Sequence, residues 1–597
     1  MYRPLLSDAF ERLGWWLPTL AALILIASFL EGIGLTMLLP LLASFGLSDD
    51  TNSDGVLAQA VNDALDTIGV APELGSLMIV IVSILVLQTI MTLAVGVLET
   101  RLTTQYTADW RRRLFQAVIQ ASWGYLQDTK VEVQTNQIIA ETSRNSAALS
   151  LVLQIIKGVF FVCVYALIAC FTAWQVVVGL SVFGVIIWLL TRPISRRSRQ
   201  VGMDVTTVSE TLNGRAYEFL LNAKLIKATA MENTAQRIIG ADIEDYRRIY
   251  FQAGVLPASV QAIYMGLGYI VLGAGVWGAL TFLEVSPAAA IVTIYVFLRL
   301  YTQLSNIQQL RQSFLLSAPA LENCQNELRT ARARREYIGE DGDVLEDSGG
   351  VNISIHNLTV AYGDRKALSA ISVDIPAGSV LGLTGPSGAG KSTMVDAIVG
   401  LVVGREGGVQ IDGHAIETLS PQYWRKHIGY VAQETLIIRG SVADNIAWGM
   451  PGATRDQIKA AAHMASADEF IETMSDGYDT IIGGRSIRMS GGQRQRIGLA
   501  RALLGAKRLL ILDEATSALD STSEQKVLDA VAHIKGNVTV VMVAHRLSTL
   551  KLADSILVFD EGKIVEQGTF DTLAKSDGAF NQLWRLQTAN NQASPAG

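Results

Sequence analysis

The stretch Gly385-Pro386-Ser387-Gly388-Ala389-Gly390-Lys391-Ser392-Thr393 carries the most specific chemistry in the chain. It follows a strand-like apolar run, Val380-Leu381-Gly382-Leu383, and precedes a helical pattern from Met394 to Leu401. Strand, glycine loop and helix in that order form a P-loop, whose backbone N–H groups wrap a phosphate chain. The helix N-terminus adds positive potential. Lys391 is placed to reach the β- and γ-phosphates of ATP, and the Ser392 hydroxyl to hold Mg²⁺. Further on, Leu509-Leu510-Ile511-Leu512-Asp513-Glu514 reads as a buried strand ending in two carboxylates. Asp513 suits Mg²⁺, directly or through water, and Glu514 suits a general base that polarises the attacking water. Ser490-Gly491-Gly492-Gln493 is a small turn before a helix expected to start near Arg494, a second anion site. Gln433 follows a strand and is placed to sense Mg²⁺ or water. His545, after Val538–Val543, is placed for the γ-phosphate, and Tyr362, ahead of the loop, for stacking on adenine. Taken singly, each of these later residues also fits a structural role. Their order behind the P-loop is what gives them weight.

The elements that must position these groups divide the chain in two. Of 597 residues, half are hydrophobic, enough for a membrane domain beside a soluble one. The net charge of −7 argues against nucleic acid as the main partner. Three cysteines are too few for a disulfide framework, and Cys163 and Cys170 read as packing or membrane-facing residues. The first apolar run is too long for the core of a cleavable signal peptide.

Apolar runs near 15–43, 75–98, 149–171, 174–194, 258–282 and 287–310 predict six membrane-spanning helices. Residues 1–14 predict an interfacial helix, with Arg3 and Arg12 beside Leu5, Leu6, Phe10 and Leu13. The segment 44–74 holds acidic residues and no Lys or Arg, so it faces away from the cytoplasm; its apolar positions from Val56 to Ile68 share a helical face. The segments 100–148 and 192–257 are rich in arginine and should be cytoplasmic, with tight outer turns at Thr172-Ala173 and near 283–286. Both cytoplasmic segments keep helical periodicity, so they should extend the membrane helices to tips near 126–134 and 215–224. Within the spans, Glu31, Lys157 and Arg299 are ionisable and therefore functional candidates. Glu31 and Arg299 fall at similar depth. They either pair with each other, or Arg299 and Lys157 line a cavity for an anionic substrate. Gln88, Gln154, Gln261, Tyr264, Tyr269 and Gln303 are further polar positions for such a cavity. The membrane domain, 15–337, ends in a charged helix from Arg311 to Tyr337. An acidic linker, 338–350, leads into an α/β domain, 351–587, which contains all six histidines, and a tail, 588–597.

Together these residues resemble the ATP-binding cassette (ABC) transporter family over almost the whole chain. On that resemblance Tyr362 is similar to the A-loop aromatic, Gly385–Thr393 to Walker A, Gln433 to the Q-loop, and Met489–Gln493 to the signature. Leu509–Asp513 resembles Walker B, Glu514 the catalytic base, Ser517–Asp520 the D-loop and His545 the switch histidine. The implied fold is an all-α six-helix transmembrane domain followed by an α/β P-loop ATPase, as in exporter-type (type IV) half-transporters. The implied partner is a second copy of the chain, because there one chain's P-loop and its partner's signature, with Asp520 of the D-loop, close over ATP. Met489 stands where the family usually has Leu, and Gly484 where exporters often carry a Glu that meets the coupling helices. The run from Ser28 to Pro40 with an external helix resembles the lipid-linked oligosaccharide flippase branch, whose cationic cavity residues engage a pyrophosphate; Arg299 fits that idea. The expected function is ATP-driven export or flipping of an amphipathic anionic substrate, lipid-linked on that resemblance, across a bacterial inner membrane, in contact with its lipids. A peptide or small-molecule exporter and an ATP-gated regulatory membrane protein are the alternatives.

Overall fold

The computed structural model describes residues 2–37, 74–282, 287–336, 349–483, 489–505, 507–515, 521–544 and 546–592. It separates into a helical unit, Met1–Ala121 with Tyr125–Arg335, and a second unit made mainly of Glu336–Gly597.

The helical unit opens with α1 (Tyr2–Leu13) and α2 (Trp16–Thr36), followed by α3 (Leu74–Ile119). At 1.5 Å per residue, α3 is about 69 Å long, roughly twice a bilayer's hydrocarbon core. Its first half is apolar and its second half charged, so the extension into water follows from the sequence. Ile79, Leu93 and Val97 are among its most exposed apolar side chains. Such a face requires lipid or another chain against it.

Helix α4 runs from Thr142 to Leu221 without a break in its helical assignment, over the 172–173 position where an outer turn is expected. The contacts show that the chain nevertheless reverses. Arg144 reaches the Thr206 hydroxyl at 2.5 Å and the Gly202 carbonyl at 3.0 Å, and Asn136 accepts from Asn213 at 3.2 Å. In a straight helix Arg144 and Thr206 would be about 93 Å apart. The bonded pairs are symmetric about residues 173–175, so the segment is two antiparallel arms, with the reversal at the expected turn. Helices α5 (Glu232–Phe282) and α6 (Pro287–Ser317) follow. The charged segment beyond them breaks at Ala318, and α7 (Pro319–Ala333) begins with proline in its first turn. Among the described residues, Trp16–Gly34, Leu74–Ile119, Val131–Cys170 and Glu232–Ala274 are long and apolar enough to cross a membrane. The expected spans 174–194 and 287–310 are helical too, within α4 and α6. The first expected tip falls on the short helices Trp123–Asp128 and Val131–Asn136. The second is Ala223–Ala228, a few residues beyond the expected position. The expected external helix, the turn at 283–286 and most of the linker lie outside the described residues.

The second unit holds β1 (Ile353–Tyr362), β2 (Arg365–Ile375), β3 (Val380–Thr384), β4 (Glu406–Ile411), β5 (His414–Ala415), β6 (Ile428–Val431), β7 (Gly440–Ser441), β8 (Ile481–Ile482), β9 (Leu509–Asp513), β10 (Thr539–Val543), β11 (Ser555–Asp560) and β12 (Lys563–Gly568). A six-stranded sheet in the order β12-β11-β3-β10-β9-β6 is parallel except at the β11–β12 edge. A second sheet, β2-β1-β4-β5, is antiparallel where it pairs. The central strands are apolar throughout because both faces are covered. On β10, Val541 and Val543 join the core shared with α8 (Lys391–Val399), whereas Val540 and Met542 join the core shared with α9 (Gly491–Leu503). The C-terminal tail continues as helix to Gln592, past the expected domain end.

Helix α1 is fastened to the helical unit by Arg12. Its guanidinium bonds Asp8 at 2.7 Å and Asp109 at 2.5 Å and lies 4.2 Å from the centre of the Trp110 ring. Asp8 also accepts from Tyr106 and Trp110. The Arg12 side chain is 6% exposed, so Arg12→Ala removes the charged partner of Asp8, while Asp109 keeps Arg113, and should cost about 3 kcal/mol. Arg199→Ala, which breaks the exposed pair with Glu322, should cost less than about 1 kcal/mol. Thermal unfolding of the detergent-solubilised variants measures both; equal losses would contradict the latch role of Arg12.

Candidate ATP site

The loop after β3 takes its shape from residues that only glycine can occupy. Gly385 has φ +138°, and a Cβ there would lie 2.1 Å from the Phe559 carbonyl oxygen. Gly390 has φ +108° and is the N-cap of α8, and a Cβ there would press on the Ala367 carbonyl. Pro386, Ser387, Gly388 and Ala389 complete the turn, with the Ala389 N–H bonded to Pro386. Lys391 opens the helix one residue after the N-cap, three residues before the start read from the apolar pattern. Its ammonium arches back over the loop and donates to the Gly385 and Pro386 carbonyls at 2.7 and 2.8 Å. Burial draws its pKa down, while the charges of Glu514 and Asp513 oppose that shift. The three groups therefore share one field. Ser392 and Thr393 follow on the first turn of α8.

The carboxylates arrive on β9, held in register between β10 and β6: Asp513 pairs with Val543, and Leu512 with Val431. Glu514 then turns with φ +52°, a left-handed conformation that costs a non-glycine residue energy and is concentrated at functional sites. Its N–H bonds the Val543 carbonyl, and its carboxylate accepts from the Gln433 amide at 2.5 Å. Gln433 and Glu514, 81 residues apart, are thus brought together. Tyr362 stands at the end of β1, partly exposed, and burial raises its hydroxyl pKa. His545, the D-loop with Asp520, and Gly484 lie outside the described residues.

Ser490 is the N-cap of α9, so that helix starts at Gly491 and not near Arg494. Ser490 accepts from the Gln493 N–H, and the Gln493 side chain accepts from the Ser490 N–H, a complete capping box. Met489 is buried in the α9 core, as expected of a Leu replacement. Among the described residues, no hydrogen bond or ion pair joins Ser490, Gly491, Gly492 or Gln493 to the loop 385–393. Two neighbours of the site were not singled out in the sequence. Tyr430 donates its hydroxyl to Asp513 at 3.1 Å, and Asp396 lies one turn past Ser392 on α8. A polar residue inside an apolar strand, and a carboxylate four residues after the P-loop serine, were the available signals.

A hydroxyl, an amide and a carboxylate are hard oxygen donors that suit Mg²⁺ when phosphate oxygens and water complete the shell. Among the described residues no three His, Cys, Asp or Glu side chains cluster to hold a metal by themselves.

In the helical unit, Glu31 and Arg299 do meet, at 3.6 Å. Glu31 also accepts from Gln88 at 3.0 Å and from the Tyr165 hydroxyl. Arg299 bonds the Tyr295 hydroxyl at 3.1 Å, and its side chain stays 46% exposed against 17% for Glu31. Lys157 is half-buried and, among the described residues, makes no hydrogen bond or ion pair with this cluster. Gln154 turns to Glu99 and Ser150, and Tyr264 is buried, which removes Tyr264 from the candidate cavity residues.

A P-loop ATPase fold whose strand ends gather Lys391, Asp513, Glu514 and Gln433, on one chain with membrane-length helices, defines an ATP-driven membrane transporter. The family model described as ABC transporter matches 368–517, and that described as ABC transporter transmembrane region matches 21–307. The heterocyst differentiation ATP-binding protein HepA of Nostoc sp. is 30% identical over 490 residues, 81% of this chain and 79% of that protein. An ATP-dependent lipid A-core flippase of Desulfotalea psychrophila is 28% identical over 558 residues, 89% of this chain and 94% of that protein. A bacterial Atm1-family ABC exporter solved with ATP bound superposes with a TM-score of 0.80 at 22% identity, covering 96% of this chain and 99% of that one, a likeness of fold. The chain belongs to the ABC transporter family. It is a multi-pass inner-membrane protein that couples ATP hydrolysis in a cytoplasmic domain to transport.

Asp396 gives the site a pH signature. Burial, with a smaller push from the charge of Asp513, raises its carboxyl to about 6. In the unfolded chain the same group titrates near pH 4, at about 3.9. Its ionisation therefore weighs against the fold above pH 6, and that penalty disappears as pH falls toward 4. Asp396→Asn should raise the melting temperature at pH 8, with the gain shrinking toward pH 5. A gain independent of pH would contradict the raised carboxyl.

Proposed function

We propose that two copies of this chain form a homodimeric flippase, with six crossing helices each, that moves an anionic amphipathic lipid across the membrane. In each of two composite ATP sites the P-loop of one copy faces Ser490, Gly491, Gly492 and Gln493 of the other. Tyr362 stacks on the base, Lys391 holds the β- and γ-phosphates, and Ser392, Asp513 and Gln433 form the Mg²⁺ side. Bound Mg²⁺ would neutralise charge on the phosphates. Glu514 takes the proton of the attacking water, oriented by Gln433, while His545 and Asp520 serve the γ-phosphate and the dimer contact. A base held in left-handed backbone beside an amide is already positioned for its task. The absence of a bond between the signature turn and the loop, among the described residues, supports a site completed by a second copy.

One observation carries the substrate reading. Arg299 keeps nearly half its side-chain surface although it lies near Glu31, because Gln88 and Tyr165 already satisfy that carboxylate. A guanidinium with donors to spare among membrane helices suits an anionic head group. A shallow groove of about 750 Å³ runs along α3 from Gln88 to Thr100, lined by Thr89, Thr92 and Gly96 together with Leu93 and Val97, so that it is largely apolar with a few hydroxyls, as an amphipathic cargo would need. Relatives named as lipid A-core flippases point to the same kind of cargo.

The test is reconstitution in liposomes with two probes, a polyprenyl-pyrophosphate glycan and lipid A-core. Wild type should flip one of them with ATP. Glu514→Gln should bind ATP yet neither hydrolyse it nor flip. Arg299→Ala should keep basal ATPase and lose at least about tenfold in flipping, the scale of one lost charge-assisted contact. Normal flipping by Arg299→Ala would remove the cationic site. ATPase without flipping of either lipid would remove the substrate class.

A further inference from the structure

We propose that Tyr430 is a positioning residue for the Asp513 carboxylate, so that this chain sets its divalent-metal affinity partly through a tyrosine on the edge strand. The inference rests on the reading of Asp513 as the metal-side carboxylate.

The geometry follows from the parallel pairing of β6 with β9. Tyr430 lies opposite Ile511, and Asp513 is two residues further along β9. Side chains two apart along a strand point to the same face, so Tyr430, Ile511 and Asp513 share one face. Ile511 belongs to the core shared with α8, which identifies that face as the one carrying the P-loop helix. A diagonal neighbour across two strands is about 7–8 Å away, within reach of a tyrosine and of few other side chains. The hydroxyl completes that reach with a 3.1 Å hydrogen bond to Oδ2 of Asp513.

An ordinary edge-strand tyrosine needs no such partner, since the residue is common in strands for its shape alone. Here the residue is 42% exposed, so packing alone does not account for it, and the hydroxyl ends on Asp513, the carboxylate read as the metal-side group. Asp396 brings a second carboxylate near Asp513. Two neighbouring carboxylates repel, and a donor on Asp513 holds its plane against that repulsion while leaving its charge intact. Outer-shell hydrogen bonds of this kind orient metal ligands, and losing one typically lowers metal affinity by about 10- to 100-fold.

The experiment is Mn²⁺ binding followed by electron paramagnetic resonance, in full-length detergent-solubilised protein carrying Glu514→Gln and saturated with ATP. Tyr430→Phe removes one oxygen and keeps the ring. It should weaken Mn²⁺ binding about tenfold, while divalent-free binding of a fluorescent ATP analogue is unchanged. Equal Mn²⁺ affinity with and without the hydroxyl overturns the proposal. An equal loss of divalent-free nucleotide binding also overturns it, because the defect would then be general. Asp513→Asn separates the two readings. If it abolishes Mn²⁺ binding while Tyr430→Phe does not, only the tyrosine role fails. If Asp513→Asn leaves Mn²⁺ binding intact, the metal-side reading of Asp513 fails with it.

Discussion

The parallel pairing of β9 between β10 and β6 is the constraint from which the reacting groups take their places. Parallel strands bring all their C-terminal ends to one edge, and loops and helix N-termini gather there. With β3 beside β10, the P-loop leaves the same edge at which Asp513 and Glu514 arrive. Gln433 comes from the end of β6 and meets Glu514 there. A shift of one residue in β9 would turn Asp513 to the other face of the sheet, away from α8. The apolar runs of β3, β9 and β10 prevent that shift by filling both cores, so packing far from the phosphates fixes the chemistry.

Much of this was legible in the residue order. The P-loop glycines announced themselves because their spacing serves only close backbone approach, and Gly385 and Gly390 do lie where a Cβ would meet a carbonyl. The membrane spans were legible because a twenty-residue apolar run has few other uses. The outer turn at Thr172-Ala173 could be read from charge alone, and the reversal of α4 agrees with it although its helical assignment does not pause. What remained hidden was anything that depends on which strands become neighbours. Tyr430 and Asp513 lie 83 residues apart, and only the sheet order makes them diagonal partners. The left-handed turn at Glu514 was equally invisible, since glutamate has no preference for it. Helix starts shifted where a cap decided them: Ser490 begins α9 through its capping box, a few residues ahead of the start expected near Arg494.

The two units hold their carboxylates by a common device. Some carboxylates in this chain are held in ion pairs: those of Asp8 and Asp109 with Arg12, and that of Glu336 with Arg425. There the opposite charges cancel and the pair acts as a fastening. The carboxylates at the candidate functional positions also take neutral donors, and those of Asp513 and Glu514 share the field of the Lys391 ammonium. Asp513 takes a tyrosine hydroxyl and Glu514 a glutamine amide. Glu31 takes both kinds, from Tyr165 and Gln88, with the cation further off at 3.6 Å. A neutral donor fixes the plane of a carboxylate without cancelling its charge, so the charge stays available to a metal ion, a water proton or a nearby guanidinium. Replacing Tyr430 or Gln433 by a lysine or arginine would hold the same oxygens more tightly and spend the charge that the site exists to offer. A hydroxyl or an amide on Asp513 and Glu514 therefore orients these carboxylates and leaves their charge in place, an arrangement legible only once the strands that bring the partners together are known.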